Sequence, residues 1–151
     1  MEDAMPNWCS NHLTVKGENE EVQRFKNQAV GHNPWDKPPA NEKPSPLNFH
    51  SLVPIPAHVL KQSYEKAGYD WECKEWGCRW GACSAELVDD NGCELFYSFD
   101  TAWGPPTAFL KAVGKLWPKL KFLLEYDEPG EGLKGICNVH GEHYENHSVK
   151  F

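Results

Sequence analysis

The chain has 151 residues, 40% hydrophobic and 25% charged, the composition of one globular domain able to bury about two-thirds of its unfolded surface. Fifteen basic against 22 acidic residues give a net charge of -7, which argues against an extended phosphate-binding surface of clustered Lys and Arg and leaves room only for a small basic patch. No apolar run approaches the roughly 20 residues that cross a bilayer, and the acidic start Met1-Glu2-Asp3-Ala4-Met5 lacks the regions of a secretion signal, so a cytoplasmic protein is expected.

In chain order, Trp8 to Lys16 reads as a strand with Cys9, Asn11, Leu13 and Val15 on one face, broken by Gly17. Glu18 to Val30 reads as a helix, with acids at its positive end, a stripe of Val22, Phe25 and Ala29, and Gly31 as the stop. Pro34, Pro38, Pro39, Pro44 and Pro46 predict an extended exposed loop over 32–46. A short strand is expected over Leu47–Val53. A second helix is expected from Pro56 to Ala67, capped by Gly68. The backbone of the tryptophan-rich segment 69–81 is left unassigned.

A hairpin follows, Cys83–Val88 and Cys93–Asp100, joined through Asn91-Gly92, with Leu95, Tyr97 and Phe99 on one face. Pro105 and Pro106 open a third helix whose stripe is Phe109, Leu110, Val113, Leu116 and Trp117, ended by Pro118. Leu120–Tyr126 is a strand presenting Phe122, Leu124 and Tyr126. Residues 133–139 and 143–150 form a last hairpin around His140-Gly141. With the insertion set aside, the order is the split β-α-β pattern of ferredoxin-like folds. The expected class is α+β: one domain over 1–151, an antiparallel sheet with helices on one face, a large insertion over about 32–81, and a tail hairpin over about 131–151.

Several motifs carry a family resemblance. Met5-Pro6-Asn7-Trp8-Cys9-Ser10-Asn11, Leu52-Val53-Pro54-Ile55-Pro56, Tyr69-Asp70-Trp71 with Trp76-Gly77, Phe99-Asp100-Thr101-Ala102-Trp103-Gly104-Pro105-Pro106 and Glu125-Tyr126 together resemble the YubB ferredoxin-like family of bacterial plasmids and phages. The resemblance spans Met5 to about Gly130. It implies a ferredoxin-like fold without an iron–sulfur cluster and a mobile-element origin, and it carries over no catalytic residue. Cys78 and Gly104 depart from the pattern. Met1–Ala4 is read as an alternative start or an appended remnant.

Four of the seven tryptophans lie between Tyr69 and Trp103, interleaved with acids, an arginine and glycines rather than with large aliphatics. One reading is a binding groove. Trp71, Trp76, Trp80 and Trp103 line it, Asp70 and Asp100 accept hydrogen bonds, and Arg79 donates or stacks on a ring. The other is a mini-core that pins the insertion to the sheet, with Asp100 fixing the turn into the third helix. The residues leave both open.

The remaining chemistry is sparse. The six cysteines, Cys9, Cys73, Cys78, Cys83, Cys93 and Cys137, are expected to be reduced thiols. Cys73, Cys78 and Cys83 are spaced too widely for a usual zinc pair, although Cys93 is expected across the hairpin from Cys83. His140, His143 and His147 lie on the tail hairpin without the HExxH pattern. No metal and no cofactor is expected. Asp70, Glu72, Glu75 and Asp100 are the carboxylates an acid–base pair would draw on. No nucleophile elbow, phosphate loop or dinucleotide fingerprint accompanies them. Phe96 faces away from the core side of its strand, as an RNA-stacking aromatic would, yet the RNA-recognition signature is missing.

The reading is a non-catalytic module that binds a host or mobile-element protein with a basic surface through the Trp/Asp-rich segment. Nucleic-acid binding and an enzyme of unknown class are the alternatives.

Overall fold

In the computed structural model, which describes residues 7–35 and 42–151, six strands form one antiparallel sheet. Met1–Pro6, with the expected alternative start, and Pro38 and Pro39 of the proline loop lie outside the described residues. The strands are β1 (Trp8–Lys16), β2 (Arg79–Asp90), β3 (Glu94–Ala102), β4 (Lys121–Glu128), β5 (Leu133–His140) and β6 (His143–Lys150). Their spatial order is β2-β3-β1-β4-β5-β6. Two main helices, α1 (Asn19–Gln28) and α5 (Thr107–Leu116), follow β1 and β3. Strands β2-β3-β1-β4 with these helices are the ferredoxin-like core, α+β as expected. The tail hairpin β5–β6 extends the same sheet beyond β4.

The alternation read from the sequence sets the faces. Cys9, Leu13 and Val15 of β1, Leu95, Tyr97 and Phe99 of β3, and Phe122 and Leu124 of β4 all point into one layer and are buried. Val22, Phe25 and Ala29 from the α1 segment meet them there, with the Phe25 ring edge-on to Phe122 and Trp117. Helix α5 lies close to β5: a Cβ on Gly114 would run into the Val139 side chain. Leu116 departs from the expected stripe and is 57% exposed, because Trp117 closes the end of the helix in its place.

The insertion is clamped to this layer, but its elements differ from those expected. Leu47–Val53 is no strand. Asn48 accepts a hydrogen bond from the Ser51 amide at 2.9 Å and so caps a single helical turn, α2 (Phe49–Leu52). The helix expected over Pro56–Ala67 is one turn, α3 (Ala57–Leu60). It stops because Ser63 is extended and its hydroxyl caps a new start through the Lys66 amide. A π-helical turn, Tyr64–Gly68, then runs into α4 (Tyr69–Glu75). Gly68 is therefore mid-helix rather than a cap. Its missing side chain makes room for the Trp35 ring. Phe49 stacks on Phe109 of α5 at 3.6 Å, which joins insertion and domain in one core.

Glu128, at the end of β4, is buried with one carboxylate oxygen unpartnered. Burial first, and Glu131 second, raise its pKa from the ordinary carboxylate value. The raised value means that its contribution is fully present below the unfolded-state value and is lost as pH rises through the folded one. Glu128→Gln is therefore expected to raise stability by about 1 kcal/mol at pH 7 and to have no such advantage near pH 4, read from urea melts at both pH values.

Candidate functional site

The insertion is organised around a carboxylate. Glu72 on α4 is 1% exposed, yet three donors converge on it: the Trp35 indole at 3.1 Å, the Tyr64 hydroxyl at 2.9 Å and the Trp80 amide at 2.7 Å. Burial raises its pKa above the ordinary carboxylate value, and the three hydrogen bonds and then Arg79 oppose the shift. Burial beside this carboxylate also pushes the Tyr64 hydroxyl up, which keeps it a donor. Trp80 is held in the left-handed region, at φ 72°, a conformation that costs a non-glycine residue about 1 kcal/mol or more and persists only where its surroundings fix it. The Glu72 bond to its amide is one such fixture.

From Trp80 a line of rings reaches the surface. The Arg79 guanidinium lies 4.3 Å from the Trp80 ring and 4.9 Å from the Tyr69 ring, and Trp80 lies 6.2 Å from Trp8. Tyr69, Trp80 and Trp8 are 40%, 37% and 39% exposed. Tyr69–Arg79–Trp80–Trp8 is thus a cation–aromatic stack at the solvent boundary, reaching from α4 across the start of β2 to the start of β1.

The structure splits the expected groove. Trp76 is core: its indole donates to the Val53 carbonyl at 3.1 Å and its ring packs edge-on against Phe49 and Trp71. Trp71 is half-buried behind it. Arg79 and Trp80 belong to the exposed stack. Asp70 is exposed on α4, and Asp100 sits opposite Ser10 and Cys83 on the far side of β3 from the core, so neither supplies the acceptor at the centre. Glu72, weighed from the sequence only as an acid–base candidate, does. The turn into α5 is fixed not by Asp100 but by Thr101, whose hydroxyl donates to the Gly104 carbonyl at 2.6 Å and accepts from Asn11 at 3.0 Å. Trp103 is 45% exposed at φ 74°, and its amide bonds the Asn7 carbonyl. Trp8, Trp35 and Tyr69 were missed as site members. Trp8 and Trp35 lie in sequence far from the cluster, and only the strand pairing of Trp8 with Ala102 could have signalled the first.

Beside the stack, a cleft of about 960 Å³ lies against β2, lined by His32, Asn48, His50, Tyr64, Trp80 and Ser84 among others. His50 accepts the Ile55 amide on Nδ1 at 2.9 Å, which leaves the proton on Nε2, and burial lowers its basicity. Cys83, also in the lining, is pushed up by burial and by Asp100, so its thiol stays protonated. The cleft offers hydrogen-bonding and aromatic surface rather than an activated nucleophile.

All six cysteines are free, with Cys9 pushed up to about 12 and Cys137 to about 11 by burial. Cys83 pairs with Asp100, not Cys93, because β2 runs on to Asp90 before the turn. Among the described residues no three His, Cys, Asp or Glu side chains are arranged to hold a metal ion. No helix among them is long and apolar enough to cross a membrane.

The fold places the chain in the ferredoxin-like class, and comparison with known proteins narrows the likeness. Residues 82–148 match the model of the ferredoxin-like domain in Api92-like protein. The crystal structure of a protein api92 from Yersinia pseudotuberculosis superposes with a TM-score of 0.74, covering 97% of this chain and 98% of that one, at 9% identity. At that identity the likeness shows the fold alone. No curated protein matches the sequence. These findings overturn the resemblance to the YubB family: the matching model is the Api92-like one, and the mobile-element origin loses its basis. The motifs misled for a physical reason. Asn7, Asn11, Thr101, Gly104 and Trp76 are bonded and packed to one another's segments, so they record how strand ends and insertion lock together rather than which family locks them.

Proposed function

We propose that this chain is a non-catalytic module that binds another protein through the Tyr69–Arg79–Trp80–Trp8 stack and the adjoining cleft. The observation that carries this reading is the stack itself: three large rings more than a third exposed, two of them against one arginine and the third beside Trp80. Trp, Tyr and Arg dominate interface hot spots because they bury much area with few rotatable bonds. The buried Glu72 beneath Trp80 lowers the ordering cost by fixing the backbone in advance. The net charge of -7 favours a partner with a basic surface and faster encounter at low salt. Free thiols, including exposed Cys73 and Cys93, support a reducing, cytoplasmic setting.

The test uses the tagged full chain, wild type against Trp8→Ala/Trp80→Ala, with captured proteins quantified by mass spectrometry. The double variant is expected to lose its strongest partners at least tenfold while keeping the wild-type circular dichroism. Equal partner lists count against the stack. Salt-sensitive binding to single-stranded RNA, with no protein partner, favours the nucleic-acid alternative through the His12–Phe96 pair stacked at 5.6 Å on the open sheet face.

A further inference from the structure

The two edges of the sheet are built differently. On β2 the pairing with β3 breaks register at three places, Trp80 and Ser84 adopt left-handed backbone, and Glu86 and Asp89 add charge. These are the devices by which edge strands avoid further pairing. Strand β6 carries charge in Glu145 and Lys150 but has neither register breaks nor left-handed residues. Its eight residues pair with β5 in unbroken register, without bulge or proline.

The ladder phase shows which groups β6 leaves open. The Phe151 amide donates to the Gly132 carbonyl at 2.7 Å, continuing the β5–β6 ladder. Odd-numbered residues of β6 therefore turn their N–H and C=O toward β5, and Tyr144, Asn146, Ser148 and Lys150 turn theirs outward. No described strand pairs with them. Tyr144 packs toward the core layer opposite Val139, so His143, Glu145, His147 and Val149 project from the solvent face of the sheet.

We propose that two copies of this chain associate by pairing β6 with β6, antiparallel about a two-fold axis at Asn146. Charge selects that register. With the axis at Asn146, Glu145 stands opposite His147 of the partner subunit, and Glu142 opposite the partner's Lys150, each twice by symmetry. Moving the axis to Glu145 sets that carboxylate against its own copy. Moving it to His147 sets Glu145 against the partner's Val149. The open amides and carbonyls of Tyr144, Asn146 and Ser148 then find the partner's Ser148, Asn146 and Tyr144. Val149, 58% exposed, comes to lie against the partner's His143.

Sedimentation equilibrium of the full chain tests this. Wild type is expected at twice the chain mass in the high micromolar range. Glu145→Lys and His147→Glu are both solvent-facing changes: the first removes the acceptor that faces the partner's His147, and the second places two carboxylates in opposition across the joint. Each is expected to raise the dissociation constant about tenfold or more. The double variant restores opposite charges and is expected to recover the dimer. A monomeric wild type overturns the proposal, as does a dimer indifferent to both single changes or a double variant that stays monomeric. Because Trp80 lies on the opposite edge strand and Trp8 on β1, three strands from β6, their variants leave the dimer mass unchanged, so this proposal and the binding reading fail separately.

Discussion

Replacing Glu72 by alanine is expected to lower the unfolding free energy by about 3 kcal/mol, because it removes a buried acceptor and strands three part-buried donors at once. The Trp35 indole, the Tyr64 hydroxyl and the Trp80 amide all end on this carboxylate and have no other acceptor among the described residues. Glu72→Gln is expected to cost only about 1 kcal/mol. One amide oxygen still accepts from Tyr64 and Trp80, which share Oε1. The new NH2 faces only the Trp35 indole, which donates to Oε2. The glutamine also removes the cost of burying a charge, the main cause of the raised pKa of Glu72. Urea unfolding of the three proteins measures both steps. Equal losses for alanine and glutamine would show that the negative charge, not the acceptor geometry, holds the insertion.

The sheet and its two long helices were legible because their signals are periodic. Cys9, Leu13 and Val15 alternate over a whole strand, and Phe109, Leu110 and Val113 repeat at helical spacing, so local pattern and tertiary burial agree. The insertion was not legible for the opposite reason. Its helices are single turns or short runs, set by side-chain caps from Asn48 and Ser63 that pattern reading passed over. Leu47–Val53 is apolar enough for a strand or a helix, and the Asn48 cap decided it.

The site was half legible. Tryptophan density marked the region, but composition could not separate Trp76, which faces Phe49, from Trp80, which faces Trp8. Asp70 and Asp100 drew attention because they sit beside aromatic residues in sequence, whereas the buried acceptor, Glu72, is reached by a ring 37 positions away.

The two proposals bear on each other through the order of the strands. The stack lies at the β2 end of the sheet and the open edge at the β6 end. Joining two sheets at β6 sets two stacks at opposite ends of one continuous sheet, roughly 50 Å apart at ~4.8 Å per strand. A partner with repeated or paired sites on that scale gains avidity without any new contact. Binding to such a partner therefore weakens in a monomeric Glu145→Lys variant even though its stack is untouched.

Trp76 and Trp80, four residues apart, are expected to respond in opposite ways, and the contrast separates packing from recognition. Trp76→Ala removes a 2% exposed indole, its hydrogen bond to Val53 and its contacts with Phe49 and Trp71, and is expected to destabilise by about 4 kcal/mol. Such a loss releases the insertion and with it every surface feature, so binding fails because folding fails. Trp80→Ala gives up a partly solvated stack on Arg79 and Trp8, worth about 1 kcal/mol. Trp80→Gly relieves the left-handed backbone as well and is expected to sit near wild-type stability, since glycine adopts that conformation without strain. Thermal melts and partner capture on the same preparations read both quantities. A Trp80→Gly protein that melts like wild type and captures nothing assigns the ring to recognition. One that melts like wild type and captures everything returns Trp80 to a structural role, as a residue whose backbone, tied to Glu72, matters more than its side chain.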